Sequence, residues 1–263
     1  MSAPFQPDAL QPAADMQSYL ACGTLVLFRI GSLFVFAPVF SSPAIPPRIK
    51  AGFAFAIAIL VAPVAARAPH AATEIGVRSI LGELAVGLLF GLTLSFVNEA
   101  VQFASALLNM QFSFSLVNLI DPVSKVETPV LGQLLGWLTT LVLLDAGLHR
   151  TLLLAFLRTF EAVPVGTFLL TGAVGARLAH TAAGLFLAGL QLASPVVAAA
   201  LMVEIAVALM GRIAPQLPTT ILSVPVKTAV SYSVLMGSLA LWPAFLERHF
   251  DWLLSAAVGL LHP

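Results

Sequence analysis

Residues Asn98–Gly136 read NEAVQFASALLNMQFSFSLVNLIDPVSKVETPVLGQLLG, and the meaning of the whole chain turns on them. Asn98, Gln102, Ser105, Asn109 and Ser113 recur at spacings of three and four residues. At 100° per residue they fall within an arc of about 80° on one side of a helix. Phe103, Ala104, Leu107 and Leu108 occupy the other side. Such a polar stripe either hydrogen-bonds to neighbouring helices inside a bundle or faces a pore or a subunit. The pattern then changes to Phe112-Ser113-Phe114-Ser115, which has a period of two and does not suit an amphipathic helix. Two phenylalanines in a non-helical segment beside a polar face make either a hydrophobic constriction that excludes water or a re-entrant loop buried by its neighbours. Leu116 and Asn118 carry the segment on, Asp121-Pro122 closes it as a turn, and apolar sequence resumes.

Working outward, the surroundings are those of a membrane protein. Of 263 residues, 59% are hydrophobic and only 9% are charged, against about 25% charged in a soluble domain. There is too little polar surface to cover a water-soluble globule, so lipid or apolar protein is the solvent for most of the chain. The formal net charge is zero, which gives no reason to expect nucleic acid as a partner. The single cysteine, Cys22, excludes an intramolecular disulfide and reads as a small apolar residue in a buried helix. Residues 1–18 read as a polar tail without Lys or Arg, unlike a cleaved secretory signal.

The apolar runs are irregular. Tyr19–Phe40 is long enough to span and contains Arg29, whose charge would cost roughly 2.5–3.5 kcal/mol at the bilayer centre. Arg29 must therefore snorkel, pair or face protein. Pro46-Pro47 with Arg48 and Lys50 reads as a basic turn, and Gly52–Ala66 as a short run containing Pro63. Ile80–Asn118 is twice the length of one span and reads as two helical pieces or one long bent helix. Leu131–Phe156 reads as a span, and Arg158–Arg177 as a Gly- and Pro-containing connection. Ala179–Gly211 is overlong, with Ser194-Pro195 as its expected kink. Arg212–Pro225 reads as a connection, Val226–Phe250 as a further run, and Trp252–Leu261 as a short apolar end. The arginines give no clean positive-inside orientation, since Arg48, Lys50, Arg67 and Arg78 fall on successive loops. Irregular backbone at membrane depth is tolerated only where protein buries it or it lines a cavity. The expected fold is thus an all-α polytopic membrane protein of long kinked helices.

Two further patterns bear on packing and chemistry. Gly87-xxx-Gly91 and Gly132-xxx-Gly136 each stack two glycines on one helix face, where another backbone can approach closely. Glu83, Glu99, Asp145 and Glu204 are isolated carboxylates that either relay protons or pair with Arg29 or Arg150. The five histidines show no His-x-x-x-His spacing, and neither a phosphate loop nor a Gly-x-Ser-x-Gly elbow occurs. No metal site, cofactor or enzymatic chemistry is indicated.

With the blocks in order, the chain resembles the FliR family of flagellar export-gate proteins, whose injectisome counterparts are the SctT proteins. The resemblance rests on Arg29 with Ala37-Pro38, on Ala44-Ile45-Pro46-Pro47-Arg48-Ile49-Lys50-Ala51-Gly52, and on Gln111, Phe114, Asp121-Pro122 and Pro129-Val130-Leu131. It continues through Thr159-Phe160 with Pro164-Val165-Gly166, then Arg212-Ile213-Ala214-Pro215-Gln216-Leu217 and Pro225-Val226-Lys227. The family usually has glycines around the loop glutamine, where this chain has Asn109 and Ser113. The resemblance implies a non-enzymatic subunit of a helical hetero-oligomeric channel in the bacterial inner membrane and flagellar basal body. Its partners would be FliP-like and FliQ-like subunits, FlhB- and FlhA-like export components, and unfolded flagellar substrates. Residues 19–175 would form a FliP-like part and 176–263 a FliQ-like helical hairpin, with a pore plug at roughly Gln111–Val126. An injectisome subunit is the near alternative, and a small-solute secondary transporter, motivated by Glu83, Glu99 and Asp145, the distant one.

Overall fold

A computed structural model describes residues 11–42, 45–66, 75–112, 130–214, 216 and 219–261. Among them the chain is all α-helix and loop, in the order α1 (Gln11–Phe36), α2 (Pro47–Ala65), α3 (Val77–Gln111), α4 (Val130–Asp145), α5 (Leu148–Ala162), α6 (Gly172–Ile213), α7 (Thr219–Leu239) and α8 (Trp242–Leu261). Four of these, α1, α2, α3 and α6, are each long and apolar enough to cross a membrane. The bent pairs α4–α5 and α7–α8 raise the number to six if each pair is one span. Leu60, Val64, Leu187, Met202 and Ile213 are exposed on these helices, which only lipid or partner protein can cover favourably. The protein is an all-α polytopic membrane protein.

The helix boundaries show which local rules win. The first helix ends at Phe36, before Pro38, and Val39 takes the left-handed conformation at φ 71° as the chain turns. Pro47 opens α2 at a position where its missing N–H is no loss, so Arg48 and Lys50 belong to the first turn of a helix and not to a basic turn. Ile80–Asn118 resolves into one continuous helix as far as Gln111, because Asn98 and Glu99 interrupt its polarity but not its backbone. Leu131–Phe156 is not a single straight helix. Gly147, at φ 67°, accepts a conformation that no other residue type adopts cheaply, and its N–H closes on the Leu144 carbonyl at 3.1 Å. The axis turns by 68° there. Arg158 through Ala162 continue α5 and do not begin a connection.

The C-terminal third departs similarly. Pro225 lies inside α7, which starts at Thr219, so Arg212–Pro225 is only partly a connection. Val226–Phe250 breaks at Ala240-Leu241 with a 60° bend. Pro243 then sits in the first turn of α8, which absorbs the expected separate end segment Trp252–Leu261. Pro195 lies inside α6, a continuous helix of 42 residues, whose length of about 63 Å is twice the hydrocarbon thickness of a bilayer.

The chain divides into two compact units. The first comprises residues 1–95, 149–180 and 253–263. Its core is built from Leu25, Ile30 and Leu33 of α1, Val86, Phe90 and Leu94 of α3, and Leu152 and Phe156 of α5. Phe90 meets the Phe156 ring edge-on at 5.5 Å. Helix α2 leans on α1 through Ala54, Ala58 and Ala65, with Gly23 facing Ala62, and Phe34, Phe40 and Phe53 stack at the corner between them. The second unit comprises residues 96–148 and 181–252. Its core includes Val97, Ala100, Val101, Ala104 and Leu108 of α3, Leu143 of α4, Ala193, Val196 and Ala200 of α6, and Leu246 and Phe250 of α8.

Candidate functional site

The candidate site is the polar side of α3 and the helix ends that hold the loop following it, all in the second unit. Ser105 is buried and donates its hydroxyl to the Gln102 carbonyl at 2.8 Å. Gln102 reaches across to α4, where its Nε2 donates to the Gly132 carbonyl at 3.2 Å. That bond bridges the two helices on either side of the loop. Gly132 is buried, and a Cβ at Gly136, one turn further on, would come within 3.1 Å of the same Gln102 nitrogen. Both glycines thus lie where α4 passes the stripe. Asn98 is half-buried with its Oδ1 fully enclosed and without a hydrogen-bond partner, and Asn109 and Gln111 are half-buried.

Phe112 marks the end of α3. Its N–H still closes the helix on the Leu108 carbonyl at 3.1 Å. Its ring is buried, stacked on Tyr232 of α7 with centroids 4.2 Å apart and planes 17° from parallel. Phe114, Leu116, Asn118, Asp121 and Pro122 lie outside the described residues. The structure therefore brings together Gln102, Ser105, Gly132 and Gly136, and holds Phe112 against a different helix.

Two participants, Gly189 and Tyr232, were not singled out by sequence reasoning. A Cβ at Gly189 of α6 would come within 2.6 Å of the Ala100 carbonyl oxygen and 2.7 Å of Phe103, so α6 crosses α3 almost in backbone contact. Gly189 follows Gly184 by five residues, which is not a one-face spacing. Tyr232 is one of only two tyrosines in an otherwise apolar setting, which was a usable signal. Lys227 of α7 is hydrogen-bonded and ion-paired to Glu204 of α6, with half of the Glu204 side chain exposed.

The other buried charge lies in the first unit. Arg29 and Glu83 are both inaccessible to solvent. The Arg29 Nε donates to Glu83 Oε2 and its Nη2 to Oε1 at 2.9 Å, the bidentate geometry that fits a guanidinium to a carboxylate. Both terminal nitrogens also donate to the Val163 carbonyl at 3.1 Å, and Nη1 reaches the Thr159 carbonyl at 3.4 Å. The Phe160 ring covers the guanidinium with its centroid 4.4 Å away. Glu83 Oε1 accepts the Gly166 N–H at 2.7 Å, from a turn that needs φ 81° at the glycine. Every face of the pair is thus occupied by protein. Beside it, a Cβ at Gly87 would sit 2.1 Å from the Arg29 carbonyl oxygen, and one at Gly91 2.9 Å from that of Leu33. These glycines let α3 lie directly on α1, which places Glu83 within reach of Arg29.

Of the four carboxylates, Glu83 and Glu204 are paired with cations, while Glu99 and Asp145 are exposed. Among the described residues no three His, Cys, Asp or Glu side chains gather as metal ligands would. The arrangement can hold a loop at both ends and offer amide groups beside it.

A family model described as bacterial export proteins, family 1, matches residues 20–253. Flagellar biosynthetic protein FliR of Escherichia coli (strain K12) is 30% identical over 233 residues, covering 86% of this chain and 87% of that protein. FliR of Bacillus subtilis (strain 168) is also 30% identical, over 218 residues, covering 81% and 83%. Yop proteins translocation protein T of Yersinia pestis is 26% identical over 231 residues, covering 85% and 88%.

Proposed function

The chain belongs to the bacterial export proteins, family 1, and from that premise we propose that it is a component of the flagellar type III protein-export gate. The observation that carries this reading is the 30% identity to flagellar FliR proteins across more than four-fifths of both chains. The chain is a multi-pass protein of the inner membrane, and membership of a family of export proteins points away from enzymatic activity.

The finer assignments follow from the resemblance and from how the loop is held. The chain forms part of a hetero-oligomeric channel with FliP-like and FliQ-like subunits, in contact with FlhB- and FlhA-like components, within the basal body. Residues 19–175 supply the FliP-like part and 176–263 the FliQ-like part. The segment Gln111–Val126 plugs the closed channel, and Phe114 supplies the apolar constriction. Two contacts support the plug reading by anchoring the helices around it: the Gln102–Gly132 hydrogen bond and the Phe112–Tyr232 ring stack. A segment whose flanking helices are anchored can obstruct a path without being lost from it.

Shortening Gln111–Val126 should leave the complex assembled and make the inner membrane leak small solutes when the complex is overproduced. An unchanged membrane barrier would sink the plug assignment. The injectisome reading has the Yersinia relative in its favour. Loss of swimming motility with needle secretion intact in a deletion strain selects the flagellar role, and the reverse outcome selects the other. The solute-transporter reading loses its first carboxylate, because Glu83 is committed to Arg29 and to the Gly166 N–H.

A further inference from the structure

We propose that the first unit carries a binding site for an anionic glycerophospholipid, in the cleft where the last turns of α5 and α8 lie side by side. A cavity of about 280 Å³ opens there, lined by Ala155, Arg158, Thr159, Ala162, Val258 and Leu261. Its size is just below the roughly 300–1,000 Å³ of ordinary ligand pockets, enough for a segment of one acyl chain but not for a folded substrate.

The chemistry of the lining selects the ligand. Ala155, Ala162, Val258 and Leu261 present only hydrocarbon. The Thr159 hydroxyl is already spent on the Phe156 carbonyl at 2.6 Å, and the Thr159 carbonyl faces Arg29. That leaves the Arg158 guanidinium as the one lining group among the described residues able to donate a hydrogen bond to a guest. Arg158 is exposed and has no carboxylate partner among the described residues. An apolar slot with a single unpaired cation at its mouth fits a ligand with a long hydrocarbon tail and a negative head.

Position in the chain argues for a lipid over a soluble amphiphile. Helices α5 and α8 are the final segments of the two bent pairs that qualify as spans, and both end at this cleft. Span ends lie at headgroup depth, where arginines placed between helices recognise lipid phosphates. A second arginine reaches the end of α8. Arg177 of α6 donates to the Gly259 carbonyl at 3.2 Å, between Val258 and Leu261 in sequence. It therefore holds the α8 end in place beside the cavity. The inference needs only that the protein sits in a membrane, so it stands or falls separately from the export role.

The test uses the assembled complex carrying the full chain, stripped of lipid and then exposed to vesicles of phosphatidylglycerol or of phosphatidylcholine. Retained lipid is counted by native mass spectrometry. The wild type should keep phosphatidylglycerol roughly five-fold better than phosphatidylcholine, the scale set by one interfacial arginine. Arg158→Gln should abolish that preference and Arg158→Lys should retain most of it. Ala162→Leu, which fills the cavity and leaves the charge, should lower phosphatidylglycerol retention. Equal retention by wild type and Arg158→Gln would overturn the site. So would complete competition by inorganic phosphate, which would mean an anion site without a lipid. Loss of a partner subunit in Arg158→Gln, with lipid retention unchanged, would mean a protein interface and overturn it equally. If Arg158→Gln fails to assemble, the Arg158→Lys and Ala162→Leu results decide.

Discussion

Phe112 and Tyr232 stack face to face, centroids 4.2 Å apart, at the point where α3 gives way to the central loop. The second residue of the proposed plug is therefore fastened to α7, 120 residues further along the chain. Aromatic pairs of this kind contribute about 0.5–1.5 kcal/mol beyond the area they bury. Tyr232→Ala should loosen the start of the loop, and Tyr232→Phe should not. The readout is limited trypsin cleavage at Lys125 in the purified complex, several-fold faster in Tyr232→Ala. Equal rates in all three proteins would show that the stack does not restrain the loop.

The Arg29–Glu83 pair should be among the most sensitive positions in the chain. Removing one partner of a buried pair costs about 3–5 kcal/mol, because the other charge is left without compensation. Glu83→Gln should reduce the yield of folded protein sharply and lower the melting temperature of what remains. The double replacement Arg29→Met with Glu83→Leu should recover part of that loss, although the Gly166 N–H stays without its acceptor. A double variant no better than Glu83→Gln would mean that the acceptor contacts outweigh the buried charge.

Two glycine substitutions should behave differently. At Gly87 a methyl group would collide with the Arg29 carbonyl at 2.1 Å, and backbone cannot move aside. Gly87→Ala should force α1 and α3 apart and cost more than the about 1–3 kcal/mol typical of overpacking. At Gly136 the nearest atom is the Gln102 amide nitrogen at 3.1 Å, the far end of a flexible side chain. Gly136→Ala should be mild. Thermal unfolding of both variants in detergent checks the order, and a reversed order would contradict the packing described.

Glu204 and Lys227 join α6 to α7 within apolar surroundings. Lys227→Glu should impair function by setting two carboxylates side by side, and the exchanged pair Glu204→Lys with Lys227→Glu should restore much of it. Swimming-halo diameter in a complemented deletion strain measures both. Failure of the exchanged pair to improve on Lys227→Glu would mean that each charge has its own separate task.

The all-α membrane class was legible from composition, and so was the need of Arg29 for company, because an unpaired charge at that depth is too costly to leave. Which carboxylate met it was not legible. Glu83 lies 54 residues away, and its selection depends on Gly87 bringing two helices into backbone contact. The bend at Ala240-Leu241 is also hidden, since apolar sequence continues across it, whereas Asp145, His149 and Arg150 around Gly147 mark a polar interruption at the other bend. One proline misleads in the other direction. Pro225 reads as part of a connection, yet it lies inside α7, as apolar surroundings can permit when neighbours satisfy the freed carbonyl. In the site, the polar stripe was visible from its periodicity, whereas Tyr232 and Gly189 matter only through the helix pairs that bring them there.

The placement of Arg29 also fixes an order of events during synthesis. Its carboxylate partner is 54 residues downstream and its carbonyl acceptors Thr159 and Val163 are 130 and 134 residues downstream. At about 5–20 residues per second, Glu83 follows after several seconds and the acceptors only after longer still. A nascent chain carrying α1 alone holds an arginine for which the membrane has no answer. The first helix is therefore expected to stay at the insertion machinery, or near the lipid headgroups, until the third arrives, so that the pair closes late in synthesis.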